Sequence, residues 1–143
     1  MKKPIRFMRV KAGLAVVAAL GLAFSAASTA SAGPHVIVTP SADLPATAEV
    51  TVEIYGFEPE EAVFVQQCAT VKSSETVCHT SKETVLLNEE GEGTVQMTVR
   101  RVFVAHNEDG TSAGEIDCVA VDGCSVVVGN SEGGSAASIS FQS

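Results

Sequence analysis

From Glu49 to Tyr55 the chain alternates apolar and polar residues, with Val50, Val52 and Ile54 set between Glu49, Thr51, Glu53 and Tyr55. A period of two buries one face of a strand and leaves the other in water. Thr94-Val95-Gln96-Met97-Thr98-Val99 repeats the pattern. Similar short stretches predict strands at His35 to Thr39, Glu49 to Tyr55, Ala62 to Cys68, Thr84 to Leu87, Thr94 to Phe103, Glu115 to Val119, Ser125 to Val128 and Ala137 to Phe141. Between them lie turn chemistries: the proline-and-acid stretch Phe57 to Glu61, the glycine-punctuated Asn88 to Gly93, Asn107 to Gly110, and a Gly/Ser/Asn loop from Gly129 to Ser135. No segment after residue 32 carries a long helical period, so the pattern is all-β. Seven or more short strands in one small domain suit a two-sheet sandwich, with a small closed barrel as the alternative.

The first 32 residues differ from the rest. Lys2, Lys3, Arg6, Arg9 and Lys11 precede an apolar run from Ala12 to Phe24, and Ala30-Ser31-Ala32 closes the segment. That order is a secretory signal with an A-x-A cleavage site, and the run is too short to span a bilayer. Residues 1–32 are therefore expected to be a signal peptide, and 33–143 one mature, extracellular domain that has no membrane segment once the signal is cut. All seventeen acids lie in that domain against Lys72, Lys82, Arg100 and Arg101, a formal charge of −13. Phosphate backbones are bound largely through Lys and Arg, so direct nucleic-acid binding by the polypeptide is not expected.

Cys68, Cys78, Cys118 and Cys124 are all in the exported part. An even count in a small secreted domain reads as two disulfides, with three pairings open. Proximity in sequence favours Cys68–Cys78 and Cys118–Cys124. The spacings do not match the usual zinc hooks. His35, His79 and His106 lie in separate segments, and the acidic clusters Glu58/Glu60/Glu61 and Glu89/Glu90/Glu92 lack a calcium-loop pattern, so no metal site is expected. No nucleophile elbow, P-loop, metalloprotease or dinucleotide motif is present, and no catalytic residue is assigned.

Several motifs fall in a specific order: Val38-Thr39-Pro40-Ser41, Gln67-Cys68-Ala69 with Cys78 ten residues on, Thr98-Val99-Arg100-Arg101, Asp109-Gly110-Thr111, Ile116-Asp117-Cys118, Cys124, and Ile139-Ser140-Phe141. In order and spacing they resemble the neocarzinostatin family over nearly all of Gly33 to Ser143. The resemblance implies an immunoglobulin-like, seven-stranded antiparallel β-sandwich with an added two-stranded ribbon, the two local disulfides, and a cleft between sandwich and ribbon. It further implies a secreted, monomeric, non-enzymatic apoprotein. Such a protein holds an enediyne chromophore non-covalently, and the chromophore supplies the DNA-damaging, antibacterial activity.

By the same resemblance, the places where chromophore-binding members carry bulky apolar or aromatic side chains are Thr70, Glu83 and Glu108 here. Burying an ionised carboxylate against an apolar polycycle is costly without a partner, so a more polar cleft is expected. The candidate ligand-binding residues are Thr70, Glu83, Phe103, His106, Glu108, Ser125 and Gly129. The alternative function is an extracellular interaction module of the same fold that has lost chromophore binding.

Overall fold

The computed structural model describes residues 33–72 and 75–143; the expected signal peptide, 1–32, lies outside the described residues. Among the described residues nine strands form: β1 (His35–Thr39), β2 (Thr47–Tyr55), β3 (Ala62–Val71), β4 (Glu75–Leu86), β5 (Gly93–Arg100), β6 (Val102–His106), β7 (Ser112–Asp117), β8 (Gly123–Asn130) and β9 (Gly133–Ile139). All pairings between these strands are antiparallel. One sheet has the order β1-β2-β5 and the other β9-β8-β3-β4-β6-β7. Seven strands make the sandwich, and the β6–β7 hairpin is the added ribbon. It joins the larger sheet through two residue pairs, Cys78 with His106 and His79 with Ala105. Disulfides link Cys68 to Cys78 and Cys118 to Cys124, the pairing favoured by sequence proximity.

Alternation decides what each strand buries. Val50, Val52 and Ile54 of β2, with Val36, Val38, Met97 and Val99 from its neighbours, face Val63, Val65, Val77, Val126 and Val128 of the larger sheet. Each valine-sized side chain so buried contributes roughly 1.5–3 kcal/mol. The C-terminal end is closed by a parallel bridge between buried Leu44 and Phe141.

The strand pattern departs from the sequence reading most in four places; β3 and β8 also run a few residues longer than expected, and β9 ends at Ile139 rather than Phe141. The single strand expected from Thr94 to Phe103 is two strands, because at Arg101 the chain leaves the smaller sheet for the ribbon. β4 runs twelve residues where only Thr84 to Leu87 was expected; it lies largely exposed, so its sequence shows little apolar alternation. The glycine-rich loop expected from Gly129 to Ser135 contracts to a tight turn, with Gly133 pairing Asn130 and Gly134 pairing Gly129. β7 starts at Ser112, ahead of the expected Glu115, because its first residues pair with the polar end of β6.

The corner at Arg101 is held from several sides. Gln67, a buried polar residue of β3 that is 2% exposed, donates from Nε2 to the Arg100 carbonyl at 2.8 Å and accepts from the Arg100 amide at 3.0 Å. The Arg101 amide donates to the Ala46 carbonyl and the Arg101 carbonyl accepts from the Cys118 amide, both at 2.8 Å. The Arg101 guanidinium pairs with Asp117 through Nε at 3.0 Å and through a second N–H at 3.2 Å. A Gln67→Leu variant keeps the volume but strips both partners from the Arg100 peptide groups. It is expected to lose about 2 kcal/mol in urea unfolding, two net hydrogen bonds' worth; a loss under about 0.5 kcal/mol would show that solvent replaces the amide.

Candidate ligand-binding cleft

The face of the larger sheet turned away from the core can be written as rows of cross-strand partners. Thr84, Phe64, Gly129 and Gly134 form one row; Lys82, Gln66, Val127 and Ala136 the next; Cys78, Cys68, Ser125 and Ser138 the third; Thr76, Thr70 and Gly123 the last. Cross-strand partners share a face, and the Val63–Val65–Gln67 set of β3 takes the core side. Between the second and third rows β4 bulges by two residues, which keeps the face unchanged on either side. The bulge is fixed by Gln66 Nε2 donating to the His79 carbonyl at 2.6 Å and by the Ser81 amide donating to His79 Nδ1 at 2.9 Å.

Two hollows lie on this face. One, about 360 Å³, is lined by Phe64, Val127, Gly129, Gly134 and Ala136 among others and contains no charged residue. The second, about 300 Å³, lies against the ribbon tip and is polar, with Gln66, Cys78, His79, Lys82, His106 and Glu108 in its walls. Volumes of a few hundred Å³ are the usual range for small-molecule sites. The Phe64–Lys82 pair stands where they meet, with the ammonium 5.1 Å from the ring centroid.

The ribbon-tip loop that walls the second hollow is held by its own side chains. Asp109 Oδ1 accepts from the Thr111 amide at 2.9 Å and the Thr111 hydroxyl at 2.6 Å, and Asn107 Nδ2 donates to Thr111 Oγ1 at 3.0 Å. The Thr111 bonds hold the Asp109 carboxyl below its ordinary range. Gly110 sits at φ 89°, a left-handed conformation suited to glycine.

The seven candidate residues do not all share this face. Thr70, Ser125 and Gly129 lie on it in register, and His106 and Glu108 line its ribbon-side wall. Glu83 is the cross-strand partner of core-facing Val65, so it takes the opposite face of β4 and lines a separate hollow of about 220 Å³ with Gln67, Met97 and Arg100. Phe103 is buried in the core, 4% exposed, with its ring 5.6 Å from that of His79. Sequence reasoning missed Phe64, Gln66, Lys82, Val127, Gly134 and Ala136. A usable signal was present: Phe64 and Gln66 have the same strand parity as Cys68 and Thr70.

Among the described residues, no group of three or more His, Cys, Asp or Glu is placed to hold a metal ion. Fold and site together define an all-β sandwich with a small-molecule-sized cleft between one outer sheet face and a short ribbon. The family model described as the neocarzinostatin family matches residues 36–141. The chain belongs to that family. It is 35% identical to macromomycin of Streptomyces macromomyceticus over 139 residues, 95% of each chain. It is 30% identical to actinoxanthin of Streptomyces globisporus, over 83% of this chain and 82% of that one. The same organism's antitumor antibiotic C-1027 apoprotein is 29% identical over the same shares. The solved structure of macromomycin superposes with a TM-score of 0.70 at 34% identity, covering 76% of this chain and 99% of its own.

His79 occupies the attachment of ribbon to sheet, and burial, then Arg100 and His106, hold its pKa below the ordinary 6.5. A histidine with a lowered folded pKa binds its proton more readily when unfolded, so stability falls as pH drops below 6.5 towards the folded value. The urea midpoint is expected to decline between about pH 7.5 and 5.5, and His79→Gln to flatten that slope; an unchanged slope in the variant would assign the decline elsewhere.

Proposed function

We propose that the mature domain is a secreted, monomeric, non-enzymatic carrier that shelters a small, flat, largely apolar molecule in the cleft between the outer sheet face and the ribbon. The observation that carries this reading is the pair of adjoining hollows on one sheet face, an uncharged one beside a polar one, in a chain of the neocarzinostatin family. A site of that kind excludes water from the apolar part of a ligand and fixes its polar end. One relative is an antitumor antibiotic apoprotein by name, and the corresponding cargo here is an enediyne-type chromophore with antibiotic action. The polypeptide, with −13 formal charges after residue 32, does not itself grip DNA; the cargo is the DNA-reactive part. By the resemblance, Thr70, Glu83 and Glu108 stand where chromophore-binding members carry bulky apolar side chains, and Thr70 and Glu108 on this cleft suit a more polar cargo than an all-apolar one.

A second reading, an extracellular interaction module without a ligand, draws on the exposed apolar side chains Val102 and Val104 on the outside of the ribbon. Native mass spectrometry of the protein from its own culture medium, before and after organic-solvent extraction, separates the two. The carrier predicts an added small mass that extraction removes. The bare polypeptide, with no chromophore in the extract, contradicts the carrier and favours the interaction module.

A further inference from the structure

The ribbon is fastened to the larger sheet near its tip by a joint that contains two histidines. Cys78 with His106 and His79 with Ala105 are the residue pairs, among the described residues, that join the hairpin to β4. His79 is half-buried, with its ring 5.6 Å from that of the core residue Phe103. Its Nδ1 accepts a hydrogen bond from the Ser81 amide at 2.9 Å, so the ring in this arrangement is neutral and carries its proton on Nε2. Gln66 Nε2 holds the carbonyl of the same residue at 2.6 Å. One lone pair of an imidazole is therefore a structural acceptor for the β4 bulge beside the joint. Across the joint, Nδ1 of His106 is buried and has no hydrogen-bond partner among the described residues.

An imidazolium donates from both nitrogens. A proton on His79 Nδ1 sets donor against donor, and the bond to the Ser81 amide is lost. The charged groups around the ring do not compensate. Burial, then Arg100 of β5 and His106 of the ribbon, hold the His79 pKa below 6.5. Lys82 of β4 lines the hollows on both sides of His79. The carboxylates that share these hollows, Glu83 and Glu108, are exposed, and neither forms an ion pair with His79 among the described residues.

We infer that His79 is an acid-released latch on the ribbon: protonated at Nδ1 it gives up the Ser81 amide, the β4 bulge relaxes, and the β6–β7 hairpin leaves the larger sheet at its tip end. The other end of the hairpin stays tied by the Arg101 corner and the Cys118–Cys124 disulfide, so it opens as a flap. Acid thus shifts the population towards an open cleft. What the opening releases rests on the carrier reading; the latch itself does not.

The test follows amide hydrogen exchange of the isotope-labelled protein, freed of any extractable ligand, from about pH 7.5 to 5, with rates corrected for the intrinsic effect of pH. Protection at Ser81, Ala105 and His106 is expected to fall below pH 6.5 by up to about tenfold per pH unit, the one-proton limit, and to level off once His79 is charged in the closed state. Low urea should barely change exchange at these amides while accelerating it at Val52 and Val126, which open only with the whole domain. His79→Gln keeps an acceptor for Ser81 but does not titrate, and should make protection at the three amides independent of pH. Arg100→Gln, whose bonds to Gln67 run through the backbone, removes a like charge and should make the fall smaller. An undiminished fall in either variant overturns the latch, and Arg100→Gln decides alone if His79→Gln does not fold. Equal urea dependence at the joint and in the core also overturns it, because the acid effect is then global unfolding. A working latch in a protein whose isolated form carries no added mass confirms the latch and removes the carrier reading.

Discussion

The amide of Gln67 is the interaction on which the arrangement of the cleft depends. It reaches from the larger sheet to both peptide groups of Arg100, the last residue of the smaller sheet before the chain crosses over. A buried side-chain amide satisfied on both sides fixes direction as well as distance, and leaving either peptide group unpaired is expensive. Arg101, next in sequence, is tied to Ala46, Cys118 and Asp117. From there the chain enters β6 and the ribbon. A wall of the cleft is thus positioned by a hydrogen-bonded corner in the core, with the Cys118–Cys124 disulfide tethering the end of the ribbon to β8.

The valine core and the cleft use opposite faces of the same strands. β3 turns Val63, Val65 and Gln67 inward and Phe64, Gln66, Cys68 and Thr70 outward, so fold and site are specified by interleaved residues that do not compete. The Cys68–Cys78 bond covers part of the outward face and ties β4 to β3 beside the pairing of Cys78 with His106, next to the ribbon tip. Glycine has the complementary role: where Gly129 meets Gly134, the absence of side chains makes a depression that no packing of larger residues would leave.

Much of this was legible in the sequence. Alternation located β1, β2 and β5 because each has one wet and one dry face. The cysteine spacing favoured the disulfides that form, and the motif order matched the family to which the chain belongs. The sheet change at Arg101 was not legible, since Thr94 to Phe103 contains no Gly, Pro, Asn or Asp to mark a break and the break is set by tertiary hydrogen bonds. β4 was hidden by its polarity. Among the site residues, motif position placed Glu83 with Thr70, but the pairing of Glu83 with Val65 puts it on the other face. Register, which motif spacing does not encode, decides the face of every side chain on a strand.

The central claim is that the outer sheet face and the ribbon tip together enclose a ligand. Hydrogen exchange of the secreted protein as isolated, compared with the same protein after solvent extraction, tests it most directly. The account predicts slower exchange in the ligand-bearing sample at the ribbon tip, residues 107–111, and around the β8–β9 turn, residues 129–134. A bound mass whose protection falls instead at the opposite face, around Glu83 and Met97, would contradict it.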